Sequence, residues 1–434
     1  MSDSPVVQYA SRTDVGMRRA ANQDSLAVRF CSDYGEWHRC GHLFAVADGM
    51  GGHSVGDLAS RISVDTLPLA YFKADVESIP ERLLAAITAA NRAINVKARE
   101  NPEFADMGTT CSSLALSPVG AFVGHVGDSR VYRVRDGQIQ QLSFDHSLQW
   151  EMVRQGRATI ENVDMLHPRN VITRCLGPDQ NVNIDIEGPF HVQAGDRFII
   201  CSDGLTGHLT DTEIGAITAS LSPADAARLL INLANCRGGA DNVTVVVANV
   251  EEYPPLTGTF VDSKATSKTE PAGGTNKRKS KLISQISLIV FLVLATVGLG
   301  FLAFGRISQG LILVCPAVIL GFVRLIFLNH RPAEDPADTD SLAPDGGLPA
   351  ASPPYRTASA KIDSRLLEFL AEAQSELTQA ARDNGWKVDM DRLADLNRRA
   401  LAALKQKKPA ECIRFRARAI DDLMKELYAH TRRS

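Results

Sequence analysis

Four stretches of the chain join an apolar run to an acidic residue at one end: HLFAVADGMGG (His42 to Gly52), AFVGHVGDSRVYRV (Ala121 to Val134), DRFIICSDGLT (Asp196 to Thr206) and ADNVTVVVANV (Ala240 to Val250). Runs of this length, rich in Val, Ile, Phe and Ala, predict buried strands. Asp48, Asp128, Asp203 and Asp241 then fall at strand ends, where neighbouring glycines free the backbone to turn and approach an ion. Taken singly, each reads as an ordinary turn, because Asp and Gly both suit turn geometry. Four in order predict several hard oxygen ligands converging at one sheet edge.

The pattern changes after about Val250. Residues 253–281 carry Pro, Gly, Thr, Ser and Lys with little periodicity and end in KRKSK, which reads as a flexible basic linker. Next come LISQISLIVFLVLATVGLGFLAF (282–304) and LILVCPAVILGFVRLIFL (311–328), a pair of nearly charge-free runs long enough to be read as transmembrane helices. The second is interrupted only by Pro316 and by Arg324, which is placed to snorkel. Lys277, Arg278, Lys279 and Lys281 before the first run and Arg331 after the second predict a hairpin with both flanking regions cytoplasmic. The alternative is a single span that leaves the C-terminal region outside.

A Pro-, Ala- and Asp-rich linker, expected to be disordered, covers 329–360. From 361 to 434 helical spacing returns, with Leu366, Leu370, Ala373 and Leu377 on one face, then Leu393, Leu396, Ala400 and Leu404, then Ile413, Ile420, Leu423 and Leu427. Three amphipathic helices are expected there, separated at Gly385 and Pro409. They read as an interaction module or a membrane-proximal cap.

Composition narrows the classes. The 434 residues, 44% hydrophobic with net charge −3, suffice for one large domain plus additions and point to no nucleic-acid partner. Eight scattered cysteines, without a C-x-x-C, suit free thiols in a reducing compartment. The polar start MSDSPVVQYASRTD does not read as a signal peptide. An all-oxygen ligand set suits Mg²⁺ or Mn²⁺ rather than Zn²⁺. Competing chemistries find little support. Cys412 to Arg418 has Cys-x5-Arg spacing but lacks phosphate-cradling glycines and sits in a helical pattern, Asp389 to Leu393 reads as a solvated helix start, and neither nucleotide-binding glycine motif occurs.

Residues 7–250 resemble the metal-dependent serine/threonine phosphatases of type 2C in their bacterial form, on TDVGMRRAANQDS, VADGMGGH, MGTTCSSLAL, VGDSRVYRV, DHS, HPRNVITRCLG, CSDGLT and DNVTVVV, in that order. The resemblance implies an α+β fold for residues 1–252, an antiparallel β-sandwich flanked by α-helices in α/β/β/α layers, here followed by the transmembrane pair and the small helical C-terminal region. It implies two Mn²⁺ or Mg²⁺ ions bridged by Asp48, with the Gly49 carbonyl on one of them and Asp203 and Asp241 completing the pair. Asp24 would reach the cluster through water, Asp128 with Asp203 would form a weaker third site, and Arg19 would hold the substrate phosphate with its planar charged fork. An ion-bridged water would be the nucleophile, making Arg19, Asp24 and Asp48 the catalytic set.

One departure stands out. Some members carry a histidine two residues after the bridging aspartate as general acid, whereas this chain has Met50, leaving His53 or metal-bound water as alternatives. The expected function is hydrolysis of phosphoserine and phosphothreonine on proteins phosphorylated by a bacterial kinase. The expected location is the inner membrane, multi-pass, with the catalytic domain cytoplasmic. The alternative is a catalytically weak, membrane-tethered sensor or scaffold of the same fold.

Overall fold

The computed structural model describes residues 5–31, 33–51, 55–159, 171–253 and 350–431. In chain order the elements are β1 (Val6–Asp14), β2 (Asp24–Arg29), α1 (Tyr34–Cys40), β3 (His42–Met50), α2 (Val55–Lys73), α3 (Ile79–Ala98), β4 (Gly108–Thr109), β5 (Cys111–Ser117), β6 (Gly120–Val126), β7 (Arg130–Arg135) and β8 (Gln138–Gln141). There follow α4 (Leu148–Arg154), β9 (Asp185–Phe190), β10 (Arg197–Cys201), α5 (Asp203–Thr206), α6 (Asp211–Ser220), α7 (Pro223–Cys236), β11 (Val243–Glu252), β12 (Arg356–Ser359), α8 (Ser364–Asp383), α9 (Met390–Lys405) and α10 (Pro409–Thr431).

The strands form two antiparallel sheets, one ordered β1-β11-β10-β7-β8-β12 and the other β2-β3-β5-β6-β9, with β4 against β3. Side-chain alternation explains why their sequences read as continuous apolar runs. On β3, Phe44 and Val46 point between the sheets and meet Val131, Phe198, Ile200 and Val246, while Leu43 and Ala45 turn outward to Leu67, Tyr71, Leu83 and Ile87 of α2 and α3. On β11, Val246, Ala248 and Val250 face inward, and Val243, Val245 and Val247 face the helices of the other side. Strands such as β3 and β11 are buried on both faces over most of their length, so apolar residues fill most positions of both faces and the period of two is masked. The result is the expected α+β sandwich in α/β/β/α layers.

The C-terminal helices continue one helix layer. Leu366 and Leu370 of α8, with Ile413, Ala417, Ile420 and Met424 of α10, share a core with Ile214, Ile217, Leu230 and Leu233 of α6 and α7. Asp363 caps α8 and Asp389 caps α9, each accepting a backbone N–H three residues on, and Gly385 takes the positive φ between them. The stretch expected to be disordered up to residue 360 includes strand β12, paired with β8 from Arg356↔Gln141 to Ser359↔Gln138. Four alternating residues give too short a period to stand out from their Pro- and Ala-rich surroundings.

The expected inner-membrane location is corrected here. Among the described residues no helix is long and apolar enough to cross a membrane. The physical reason is plain in α2, which at 19 residues has the length but carries Asp57, Arg61, Asp65 and Lys73. The runs 282–304 and 311–328, on which the hairpin and the membrane partner rested, lie outside the described residues.

His42, at the start of β3, is buried between Phe30 and Trp37 and accepts the Cys31 N–H on Nδ1 at 3.1 Å. Burial pushes its imidazole down to about 4. An unfolded histidine protonates near 6.5, so the unfolded state takes the proton first, and this contribution to stability is lost as pH falls from about 6.5 through 4. His42→Asn keeps an acceptor near Nδ1 without the titration. Its thermal midpoint should therefore fall less steeply than that of the parent between pH 6.5 and 5, measured by calorimetry in matched buffers. Parallel curves would show that His42 does not contribute to the acid sensitivity.

Candidate metal centre

The register of two strands begins the site. Asp24 on β2 lies directly opposite Asp48 on β3. The Asp48 backbone is pinned on both sides: its N–H donates to Thr110 Oγ1 at 2.9 Å, and its carbonyl accepts from the Thr110 N–H and the Thr109 hydroxyl, each at 2.9 Å. Gly49 donates its N–H to the Gln23 carbonyl at 3.1 Å. A Cβ at Gly49 would run into the Gly56 carbonyl, so only glycine lets the first turn of α2 lie against this strand end.

The other sheet supplies the opposing groups. Asp203 is the first residue of α5, straight after β10. Ser202 beside it donates Oγ–H to Asp24 Oδ2 at 2.7 Å and accepts the Thr244 N–H at 2.9 Å, which ties the two sheets together at this end. Gly204 is held against the Asn242 carbonyl, where any side chain would overlap. Asp128 sits in the turn between β6 and β7, and Asp241 in the turn before β11. Both Asp241 oxygens are engaged, Oδ2 by Arg19 Nη2 at 2.8 Å and Oδ1 by the Asn242 N–H at 2.8 Å. Each oxygen keeps a second lone pair for a cation. Arg19 also donates Nε–H to the Ala240 carbonyl at 3.3 Å, and its side chain is 47% exposed and open to an incoming anion.

The electrostatics follow from crowding. Asp48 is held well above the usual carboxylate range by burial and then by Asp24, Asp203 and Asp128. Burial and the neighbouring Asp241 raise Asp203. Burial, Asp203 and Asp145 raise Asp128 against the opposing pull of Arg130. Asp24 is pushed up to about 7, mainly by burial, although hydrogen bonds from Ser202 and Thr244 oppose the shift. Three buried carboxylate oxygens, Asp24 Oδ1, Asp128 Oδ1 and Asp203 Oδ1, have no hydrogen-bond partner.

A divalent cation would relieve both conditions at once, supplying partners to the orphaned oxygens and cancelling the like charge. The donor set is all oxygen, which fits Mg²⁺ or Mn²⁺. Among the described residues no three His, Cys, Asp or Glu side chains already close around an ion. The carboxylates share one repulsive field instead, and the orphaned oxygens are the more direct sign of a cation site.

Of the residues singled out in the sequence, Asp24, Asp48, Asp128 and Asp203 are electrostatically linked, and Asp241 with Arg19 forms the outer edge of the group. His53 lies outside the described residues. Cys412 is buried inside α10 with its thiol raised by burial, which suits a packed side chain and not a nucleophile. Sequence reasoning passed over the supporting groups: Thr110, Ser202, and Arg130, whose Nε–H is shared between the Asp145 oxygens at 3.0 and 2.9 Å. All three lie inside the quoted motifs, but their partners are set by strand register.

With this geometry in view, the chain belongs to the protein phosphatase 2C family, whose model matches residues 17–236. It is 34% identical over 249 residues to the serine/threonine protein phosphatase PstP of Mycobacterium tuberculosis, an alignment covering 57% of this chain and 46% of that protein, so the chain spans about half the length of this relative. It is 36% identical to a putative 2C-type protein phosphatase of Streptococcus pyogenes, covering 56% of this chain and 98% of the relative. The serine/threonine phosphatase structure from S. agalactiae superimposes with a TM-score of 0.51 at 34% identity, over 57% of this chain and all of that one (100%). These alignments account for little more than half of the chain.

Thr110 gives a test of how the Asp48 backbone is held. Thr110→Val keeps the shape but strands the Asp48 N–H and also removes the 2.8 Å bond between the Thr110 and Ser129 hydroxyls, and should lower unfolding stability by about 1–3 kcal/mol in urea with an unchanged m-value. Thr110→Ser keeps the hydroxyl and should recover most of that loss. Equal midpoints for Thr110→Val and the parent would mean that the bond does not hold Asp48.

Proposed function

We propose that the chain hydrolyses phosphoserine and phosphothreonine on proteins, using Mn²⁺ or Mg²⁺ held by Asp48, Asp203 and Asp241, with Asp24 behind them. The observation that carries this reading is the set of mutually repelling carboxylates with three orphaned, buried oxygens at one end of the sandwich. Membership of the 2C family, which depends on these ions, supports it. When bound, the ions supply Lewis acidity and a water of lowered pKa at the phosphorus.

The chain's own residues do the rest. Arg19, exposed beside Asp241, binds and orients the phosphate through a planar fork. Ser202 fixes Asp24, and the Thr109–Thr110 pair fixes Asp48, so the ligand set is preorganised by hydrogen bonds that cross between strands. Asp128, with Asp203, is read as the weaker third site. The Gly49 carbonyl, next to Asp48 on the same strand end, is read as a further oxygen ligand. Proteins modified by a serine/threonine kinase would be the substrates.

The test is turnover of a phosphothreonine peptide by the full chain. Activity should require Mn²⁺ or Mg²⁺ and vanish in EDTA. Asp48→Asn, Asp203→Asn and Asp241→Asn should each lose about 10²-fold or more in kcat while remaining folded by circular dichroism. Hydrolysis that survives EDTA, or an active Asp48→Asn, would refute the mechanism. A folded parent chain that binds Mn²⁺ without turnover would favour the sensor or scaffold reading. Asp128→Ala should remove one weak Mn²⁺ site by calorimetry and spare the tight ones; loss of every site, or of none, would show that Asp128 is only a turn residue.

A further inference from the structure

The C-terminal helices reach the loop that carries Asp241 by two routes. On α10, Tyr428 accepts from Asn235 Nδ2 at 2.6 Å, and the same amide donates to Asp14 Oδ1 at 3.0 Å. Asp14 Oδ1 also accepts the Gly16 N–H at 2.9 Å, and Gly16 packs against the Asp241 carbonyl so closely that a side chain there would overlap it. Asn235 is buried, so its amide has no solvent to turn to if Tyr428 loses its hydroxyl. This route ends in the turn between β1 and Arg19.

The second route starts on α8. The Phe369 ring lies beneath the Arg237 guanidinium, 3.9 Å from carbon to ring centroid. Arg237 is thereby held where it donates to the His208 carbonyl at 2.6 Å and pairs with both Glu213 oxygens at 2.6 and 2.8 Å. His208 Nε2 accepts the Ala240 N–H at 3.4 Å, and the Ala240 carbonyl accepts from Arg19 Nε at 3.3 Å. Between Arg237 and Ala240 lie Gly238 and Gly239, both at positive φ, the residues with the most backbone freedom to lose on ordering. A loop of that composition needs outside contacts to hold one conformation.

We propose that Phe369 and Tyr428 are positioning residues for the Arg19–Asp241 pair. The C-terminal helices, which lie beyond the 17–236 that match the family, act as a brace that presents the phosphate-binding guanidinium and the neighbouring carboxylate in one arrangement. Losing the brace leaves the chemistry of each group intact but spreads the loop over several conformations, so binding of substrate phosphate suffers more than the subsequent step. The inference rests on the phosphatase reading, and the experiment separates the two.

The full chain is compared with Phe369→Leu, Tyr428→Phe, both together, Phe369→Tyr as the conservative rescue, and the exposed Leu401→Ala as a control. Amide exchange of residues 238–242, measured without Mn²⁺, should quicken about 10-fold in the double variant and remain at the parent rate in Leu401→Ala. With saturating Mn²⁺ and a phosphothreonine peptide, KM should rise about 3- to 10-fold while kcat changes less than about two-fold, and Phe369→Tyr should restore both readouts. The single variants carry the test if the double one does not fold. Parent-like exchange with parent-like KM, or a fall in kcat at constant KM as expected from fewer folded molecules, overturns the proposal. A parent chain without turnover would defeat the phosphatase reading, while the exchange measurement would still decide the coupling.

Discussion

Asp24 and Asp48 face each other across two strands, Asp203 stands near enough to raise both further, and Asp128 adds to the shift at Asp48. Carboxylates stripped of most of their water and brought this close repel one another, so something must hold them in place against that force. The sandwich does it with hydroxyls and close-packed backbone. Thr110 and Thr109 grip Asp48, Ser202 bridges Asp24 to Thr244, and the glycines at 49 and 204 let the chain come in where no side chain would fit. The two apolar sheets give these contacts a stiff frame, because strands such as β3 and β11 are packed on both faces and have no room to slide.

The C-terminal helices enlarge that frame. Their apolar stripes join the helix layer over the first sheet, and the polar contacts at Tyr428 and Phe369 sit at the margin of the same interface, close to the Asp241 loop. A single helix layer thus serves two purposes. Its interior supplies burial, and its rim reaches a loop whose two glycines leave it short of internal restraint.

Much of this was legible in the sequence. The strands showed because burial on both faces makes their runs unbroken, as in VTVVVANV, and the helix faces of α8 to α10 showed through Leu366 and Leu370, Leu393 and Leu396, and Ile413 and Ile420. The stripe reveals an apolar face and not what covers it, so the docking of α10 on α6 and α7 was hidden. The roles of Thr110 and Ser202 were hidden for a related reason: a hydroxyl names its chemistry, but its partner depends on strand register. Arg19 and Asp241 were singled out for separate tasks, and their direct ion pair could be seen only once β11 lay beside β1. Hydropathy alone placed the chain in a membrane, and the described helices contain nothing that carries that reading.

The pairing of β12 with β8 has a consequence for how the chain folds. Residues 138–141 must wait for residues 356–359, so closing that edge requires a contact between parts of the chain far apart in sequence, with a correspondingly large entropy of closure. During synthesis the outer edge of β8 emerges long before its neighbour and presents open donors and acceptors to any passing strand. Its sequence, Gln-Ile-Gln-Gln, is short and polar. Those are the properties that make a waiting edge a poor template for the wrong partner.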